Sequence, residues 1–368
     1  SIVNAGNLAV GPGQTLSLIG GTVVSTGSLT APDGQVVLAS VPGTNLVRLS
    51  QTDRLLSLEF VPLGTRPTPI LLPAGLPYTP PTLPQLLTGS NLGNASGLTV
   101  NPNGSVSLTG SGISVEQGDV VARTITADTA TLVAANNLTL VESQVQTTGD
   151  LNLRAQNTVR LRDSRTNPAI AQAGGSLTVQ GDQAIDLVAL SHPASQLASG
   201  GNMVLRSAGT IRGDAHYFAG GNLRFEQLDG RAGNLFSPYD PIVLALGDVT
   251  LGAYTGASLH ILAGGSVTLG DVNITGGGVV ATTINPANGA SYNGNPANTF
   301  ATLAPILRAD GTPLFINPTP TLDAAGNVLR TPTTQLVVDG RNPTLDIRAG
   351  IDWSQLGGLP GAVTIGVA

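Results

Sequence analysis

Gly149-Asp150-Leu151-Asn152-Leu153 recurs along the chain as Gly175-Ser176-Leu177-Thr178-Val179, Gly201-Asn202-Met203-Val204-Leu205 and Gly221-Asn222-Leu223-Arg224-Phe225, and again as Gly247-Asp248-Val249-Thr250-Leu251 and Gly265-Ser266-Val267-Thr268-Leu269. The opening glycines are 26, 26, 20, 26 and 18 residues apart. Each unit is a glycine, a small polar residue, then apolar–x–apolar: a turn feeding a short strand with one buried face. Repetition at this period marks a solenoid, in which a unit buries its apolar side only by stacking on the next. With no helical stretch between units, the pattern predicts an all-β chain, a right-handed parallel β-helix with two insertions on its flank.

Side chains alternate along a strand. Leu151, Leu177, Met203, Leu223, Val249 and Val267 therefore form one inner column, and Leu153, Val179, Leu205, Phe225, Leu251 and Leu269 a second. Asn152, Thr178, Val204, Arg224, Thr250 and Thr268 point outward between them. The glycine is expected to supply a backbone conformation that a Cβ would penalise. The adjacent Asn or Asp is expected to bond its own backbone.

Working outward, residues 1–61 read as β-helix coils and 62–96 as a Pro-rich insertion, since proline cannot donate to a sheet ladder. Residues 97–276 read as the main β-helix. Residues 277–343 form a second insertion with two hairpins, Ile306-Leu307-Arg308 with Leu314-Phe315-Ile316 and Thr321-Leu322-Asp323 with Val328-Leu329-Arg330. Residues 344–368 are final coils, rejoining at Leu345 and cut short, as if the chain were a segment of a longer protein. About a dozen coils would make a rod about 60 Å long.

Composition agrees. Charged residues are 10% and aromatics 3% of 368 residues, with 48 glycines and no cysteine. Disulfide scaffolds and thiolate metal sites are excluded. All 16 basic residues are arginine and the net charge is −6, which argues against nucleic acid as a partner. No apolar run approaches the ~18 residues of a membrane helix, so no membrane insertion is expected.

The chemistry-bearing residues are few. His192, His216 and His260 have no partner at metal spacing and read as structural. Asp150, Asp248 and Asp271 sit at corners, Asp182 and Asp186 face the same way on an extended segment, and Asp214, Glu226, Asp229 and Asp240 follow. None has a catalytic spacing. Arg154, Arg160, Arg162 and Arg165 cluster, and alternation with Val159 and Leu161 sends both Arg160 and Arg162 to solvent. They suit either an acidic polysaccharide or, as the preferred reading, a solvated face with ion pairs. The repeat register also places Arg154, Gln180, Arg206 and Glu226 in one outer column, with an Arg206–Glu226 pair. Six of twelve aromatics, Tyr217, Phe218, Phe225, Phe236, Tyr239 and Tyr254, lie close together. Phe225 is inner, and the others are expected in connections as a cap packed on the flank, with a sugar-stacking platform as the alternative.

Several stretches carry a resemblance: Gly200-Gly201-Asn202-Met203-Val204-Leu205-Arg206-Ser207-Ala208, Gly213-Asp214-Ala215-His216-Tyr217-Phe218, Leu259-His260-Ile261-Leu262-Ala263-Gly264-Gly265 and Pro343-Thr344-Leu345-Asp346-Ile347-Arg348-Ala349-Gly350. In these the chain resembles filamentous-haemagglutinin-type exoproteins of two-partner secretion, in particular the large cyanobacterial members. The resemblance implies a secreted, extracellular, cell-surface β-helix exported through an outer-membrane transporter and serving as an adhesin or surface structure. It places the family's secretion domain upstream of Ser1. Asn101-Pro102-Asn103-Gly104 resembles a secretion-domain motif but reads here as a type I turn. The expected function is a non-enzymatic rod presenting flank loops to a surface glycan or other cells, with no catalytic residue, metal or cofactor assigned and the ligand-binding residues left open. Two alternatives are an extracellular filament subunit joined end to end by self-association and a polysaccharide-cleaving β-helix enzyme.

Overall fold

The computed structural model describes residues 1–43, 97–109, 111–164, 166–189, 192, 194–238, 241–276 and 345–351, together with the backbone of six short strands elsewhere. It is a parallel β-helix with three sheets, A, B and C, met in that order along each coil. One coil runs Thr158–Arg162 in sheet A, Ile170–Ala173 in sheet B and Leu177–Gly181 in sheet C. Each strand pairs in parallel with its counterpart one coil on, Ala184–Val188, Gln196–Ser199 and Met203–Ser207. Two long strands, Val23–Ser40 and Val120–Ala134, run round all three sheets. Register shifts between Ala122 and Thr124 and between Ala127 and Thr129 mark the corners.

The repeat columns hold. Leu151 pairs with Leu177, Met203, Leu223, Val249 and Val267 in succession. The first five are fully buried, and Val267 and Leu269 are half-buried against the same core. Burying each such side chain contributes about 2 kcal/mol.

The corner glycines have a different cause from the one the pattern suggests. None of the six lies at positive φ. Instead the coil below fills the space a Cβ would take: at Gly247 it would stand 2.1 Å from Asn222 Oδ1, and at Gly221 2.4 Å from Asn202 Oδ1. Those side chains do not bond their own backbone. Asp248 N–H donates to Asn222 Oδ1 at 2.8 Å, Asn222 N–H to Asn202 Oδ1 at 2.8 Å, Ser176 N–H to Asp150 Oδ1 at 2.7 Å and Ser266 N–H to Asp248 Oδ1 at 2.7 Å. The glycine and its polar neighbour form a ladder that ties coil to coil.

Two boundaries move. Val47–Ser50 and Ser57–Phe60 pair with each other antiparallel, outside the helix, so the first coils end near Ser40 rather than at 61. Leu98–Val100, Val106–Leu108 and Ser114–Val115 form an antiparallel three-stranded sheet, so the main helix resumes at Val120 and not at Gly97. The turn between its first two strands is closed by Gly104 N–H donating to Asn101 O at 2.9 Å, the expected turn. This sheet packs Val106, Leu108, Ile113 and Val115 on the outward Val24 and Val121 of sheet A. Parallel pairing of Val23–Ser40 with Val120–Ala134 makes everything between them a single excursion. Its ends meet: Val41 N–H donates to Gly20 O at 2.7 Å and Gly118 N–H to Gly21 O at 2.9 Å. Ser40 Oγ donates to Gly118 O at 2.5 Å and accepts from Ala135 N–H at 2.8 Å.

The second excursion leaves sheet A after Val272–Ile274 and returns in sheet B at Leu345–Arg348, as expected. Thr321–Leu322 and Val328–Arg330 pair antiparallel, the second predicted hairpin. The first hairpin, most of 62–96 and residues 352–368 lie outside the described residues. The described helix contains nine complete coils and the start of a tenth, fewer than a dozen because Val47–Ser50, Ser57–Phe60 and the three strands between Leu98 and Val115 are not coil strands. At ~4.8 Å per coil it is about 45 Å long.

Candidate functional site on the outer wall of sheet A

The outward positions of sheet A line up by register as Arg160, Asp186, Arg212, Phe236, Thr255 and Asn273. Their strand neighbours on either side, such as Val159, Ile185, Ile211, Leu235 and Tyr254, are buried in the core. The alternation that fills the interior therefore aims this column outward. Arg160, Asp186 and Arg212 are each a little over one-fifth exposed, and Phe236 is 38% exposed. Asp186 lies 3.9 Å from Arg160 Nε and 3.7 Å from Arg212 Nε.

Arg162 departs from expectation. It is fully buried, not solvated. Its Nη1 donates to Leu161 O at 2.9 Å and to Asp186 O at 2.7 Å, and its Nη2 pairs with Asp186 Oδ2. Burial pushes the guanidinium below its ordinary pKa, and Asp186 opposes that shift. The side chain does point away from the core, but the outside is not solvent there. The loops after Arg162 and Val188 are latched together, with His192 N–H and Ser195 Oγ donating to Asp163 Oδ2 at 2.7 and 2.8 Å. A charge buried this way is tolerable because acceptors surround it. Arg165 and Asp240 lie outside the described residues.

The other predicted residues disperse. Asp182 sits at a corner and accepts from Gln180 Nε2 at 2.7 Å, while Asp186 is mid-strand. Asp150 and Asp248 are in the corner ladder, Asp271 is exposed, and Asp229 pairs with Arg231 at 2.6 Å on an exposed loop. Asp214 is fully buried and accepts from Ser237 Oγ. On sheet C the predicted register Arg154, Gln180, Arg206, Glu226 holds, and Arg206 Nη2 is 2.7 Å from Glu226. Arg224 Nε joins from the other side at 2.7 Å, so the nearly buried Glu226 is held by two arginines. Among the described residues, no three His, Asp or Glu side chains converge as a metal site.

Nor do the aromatics form a cap in the connections. Tyr217 and Tyr254 lie on strands of sheets B and A and are fully buried inside the helix. Tyr217 meets Phe225 edge to face at 5.4 Å. Phe218 is buried against the outside of sheet B, Phe236 is exposed, and Tyr239 lies outside the described residues. Tyr254 donates to Ala257 O at 3.0 Å, with Ser258 O at 3.1 Å. The Tyr217 hydroxyl has no hydrogen-bond partner among the described residues, and burial, then Asp214 and Tyr254, push its pKa well up. Tyr217→Phe is expected to raise stability by about 1 kcal/mol, because a buried hydroxyl without a partner costs about that much. A lower urea midpoint for the variant would show that the hydroxyl is satisfied.

Arg212, Thr255 and Asn273 were not singled out from sequence, although Arg160, Asp186 and Arg212 are 26 residues apart, the same step as the first glycines. No family model, curated protein or solved structure matches the chain.

Proposed function

We propose that this chain is a structural and adhesive segment of a secreted, cell-surface filamentous exoprotein, a stiff rod whose flank makes the contacts. The reading rests on one observation: the helix keeps its register while the chain leaves it for a long excursion. Val23–Ser40 stacks directly on Val120–Ala134 across residues 41–119. Such an architecture separates a rigid scaffold from what it carries. Much of the polar chemistry goes into holding coils together, in the corner ladder and in Arg206–Glu226–Arg224. Export through an outer-membrane transporter and attachment to a surface glycan belong to the same proposal.

Deleting residues 42–117 tests it. The cut joins Val41 to Gly118 and leaves four residues between Ala39 and Val120. The next corner likewise has four between Val133 and Leu138, the residues in register with those two. With Val24→Thr and Val121→Thr to resurface the uncovered wall, the shortened chain is expected to keep its β-sheet circular dichroism and cooperative unfolding. Beads carrying the intact chain should be retained on polysaccharide-coated surfaces, and beads carrying the shortened chain several-fold less. An unfolded deletion would sink the scaffold half of the reading, and beads with the intact chain that are not retained would sink the adhesive half.

A further inference from the structure

The outer column of sheet A combines features that the sheet's structural role does not require. Phe236 is a large apolar side chain left 38% exposed in a wall that is otherwise polar at this level. One coil before it stands Arg212, then Asp186 and Arg160, and one coil after it Thr255, then Asn273. The six form one column up the wall, one residue per coil. At ~4.8 Å per coil the column is about 24 Å long. That step is close to the length of one pyranose unit in an extended chain, so successive sugars would meet successive side chains in register.

The side chains are of the kinds that bind such a chain. An aromatic face stacks on the apolar face of a pyranose ring, as in other apolar–aromatic contacts. Guanidinium groups donate in pairs to carboxylates and hydroxyls, while Asp186, Thr255 and Asn273 supply acceptors. Charge selects among glycans. The chain carries a net −6 and would repel a polyanion in general. Here three guanidiniums, Arg160, Arg162 and Arg212, offset the three carboxylates Asp186, Asp214 and Asp163, so this wall lacks the negative excess of the chain as a whole.

We propose that this column binds one extended strand of acidic, uronate-bearing polysaccharide, with Phe236 as the stacking platform and Arg212 and Arg160 as carboxylate donors. The site rests on the adhesive reading above, giving it a ligand class and a place on the wall.

The test uses the full chain with hexagalacturonate as an acidic probe and cellohexaose as a neutral one, measured by calorimetry. Hexagalacturonate should bind and weaken as salt is raised, with the Kd rising about tenfold in Phe236→Ala. Phe236 is exposed, so this variant should fold as the parent does, which circular dichroism checks. Arg212→Gln should lose a similar factor, and Thr178→Ala on sheet C should lose none. Equal or tighter binding of cellohexaose would overturn the acidic assignment. Hexagalacturonate binding unchanged by Phe236→Ala, or no binding to the intact chain, would overturn the column as the site. If the intact chain is still retained on polysaccharide surfaces in that case, only the column fails. Loss of retention with hexagalacturonate still bound at the column would instead overturn the adhesive reading and keep the site.

Discussion

Replacing Gly256 by alanine is expected to destabilise the helix by about 3 kcal/mol, whereas the same change at Gly209 should leave stability within about 0.5 kcal/mol. Gly256 closes a strand of sheet A and is buried. A Cβ there would lie 1.9 Å from Ser237 O and 2.7 Å from Ser237 C, both backbone atoms of the preceding coil, and 2.8 Å from the Tyr254 hydroxyl. None of these can yield cheaply. Ser237 O accepts from Ala257 N–H at 2.9 Å, and the Tyr254 hydroxyl is held by Ala257 O and Ser258 O. Relief requires the two coils to separate, which opens the parallel ladder between Leu235–Ser237 and Tyr254–Gly256. At Gly209 the nearest atom to a new Cβ is Gln183 O at 3.5 Å, an ordinary contact, and φ is not positive. There the alanine only reduces the freedom of the unfolded chain. Urea midpoints of the two variants against the parent decide the matter. Equal shifts would mean that close approach between coils is not what glycine is for here.

That contrast shows how far the sequence could be read. The repeat located the corners and inner columns of sheet C because an apolar–x–apolar strand after a glycine has one physical solution. It did not reveal why the glycine is there, since the atom a Cβ would strike belongs to a residue 17 to 25 positions earlier. Alternation correctly aimed Arg162 away from the core. Whether that side was wet depended on loops folding back, which a period of two does not encode. Tyr217 and Tyr254 were placed outside because the strands of sheets A and B carry no glycine marker to align them, so their inner columns went unseen. The segments 47–60 and 98–115 have the same β-forming composition as a coil. The tight Asn101–Ser105 turn was nonetheless a legible sign, because parallel coils cannot be joined by so short a link whereas an antiparallel hairpin can. The exposed column of sheet A needed the register of that sheet, which follows from Arg160, Asp186 and Arg212 once a coil length is known.

The largest pH effect is expected from the outer wall of sheet B. His216, Ile242 and His260 stack there one per coil, and the two histidines are only 3% and 1% exposed. Burial lowers the pKa of His216 from 6.5 to about 4. His260 is lowered as well, by burial first, with Asp346 opposing and Arg348 adding. Between about pH 4 and 6.5 the unfolded chain binds a proton at His216 that the folded chain does not, so stability rises with pH in that window. Read downward, it is lost as pH falls from 6.5 to about 4, by about 3 kcal/mol in total for His216 at 1.36 kcal/mol per unit. The depressed carboxylates act elsewhere. Asp248, held down by the Ser266 N–H, and Asp229, held down by Arg231, contribute stability that is lost only as they are protonated below the usual carboxylate range. Urea midpoints of the parent should therefore change little between pH 7.5 and 6.5 and then fall through pH 5.5 and 4.5. His216→Gln should flatten most of that slope, whatever it does to the midpoint at pH 7.5. A parent midpoint that stays level from pH 6.5 to 4.5 would mean that His216 takes up its proton in the folded helix at little cost, and that this wall is wetter than its packing implies.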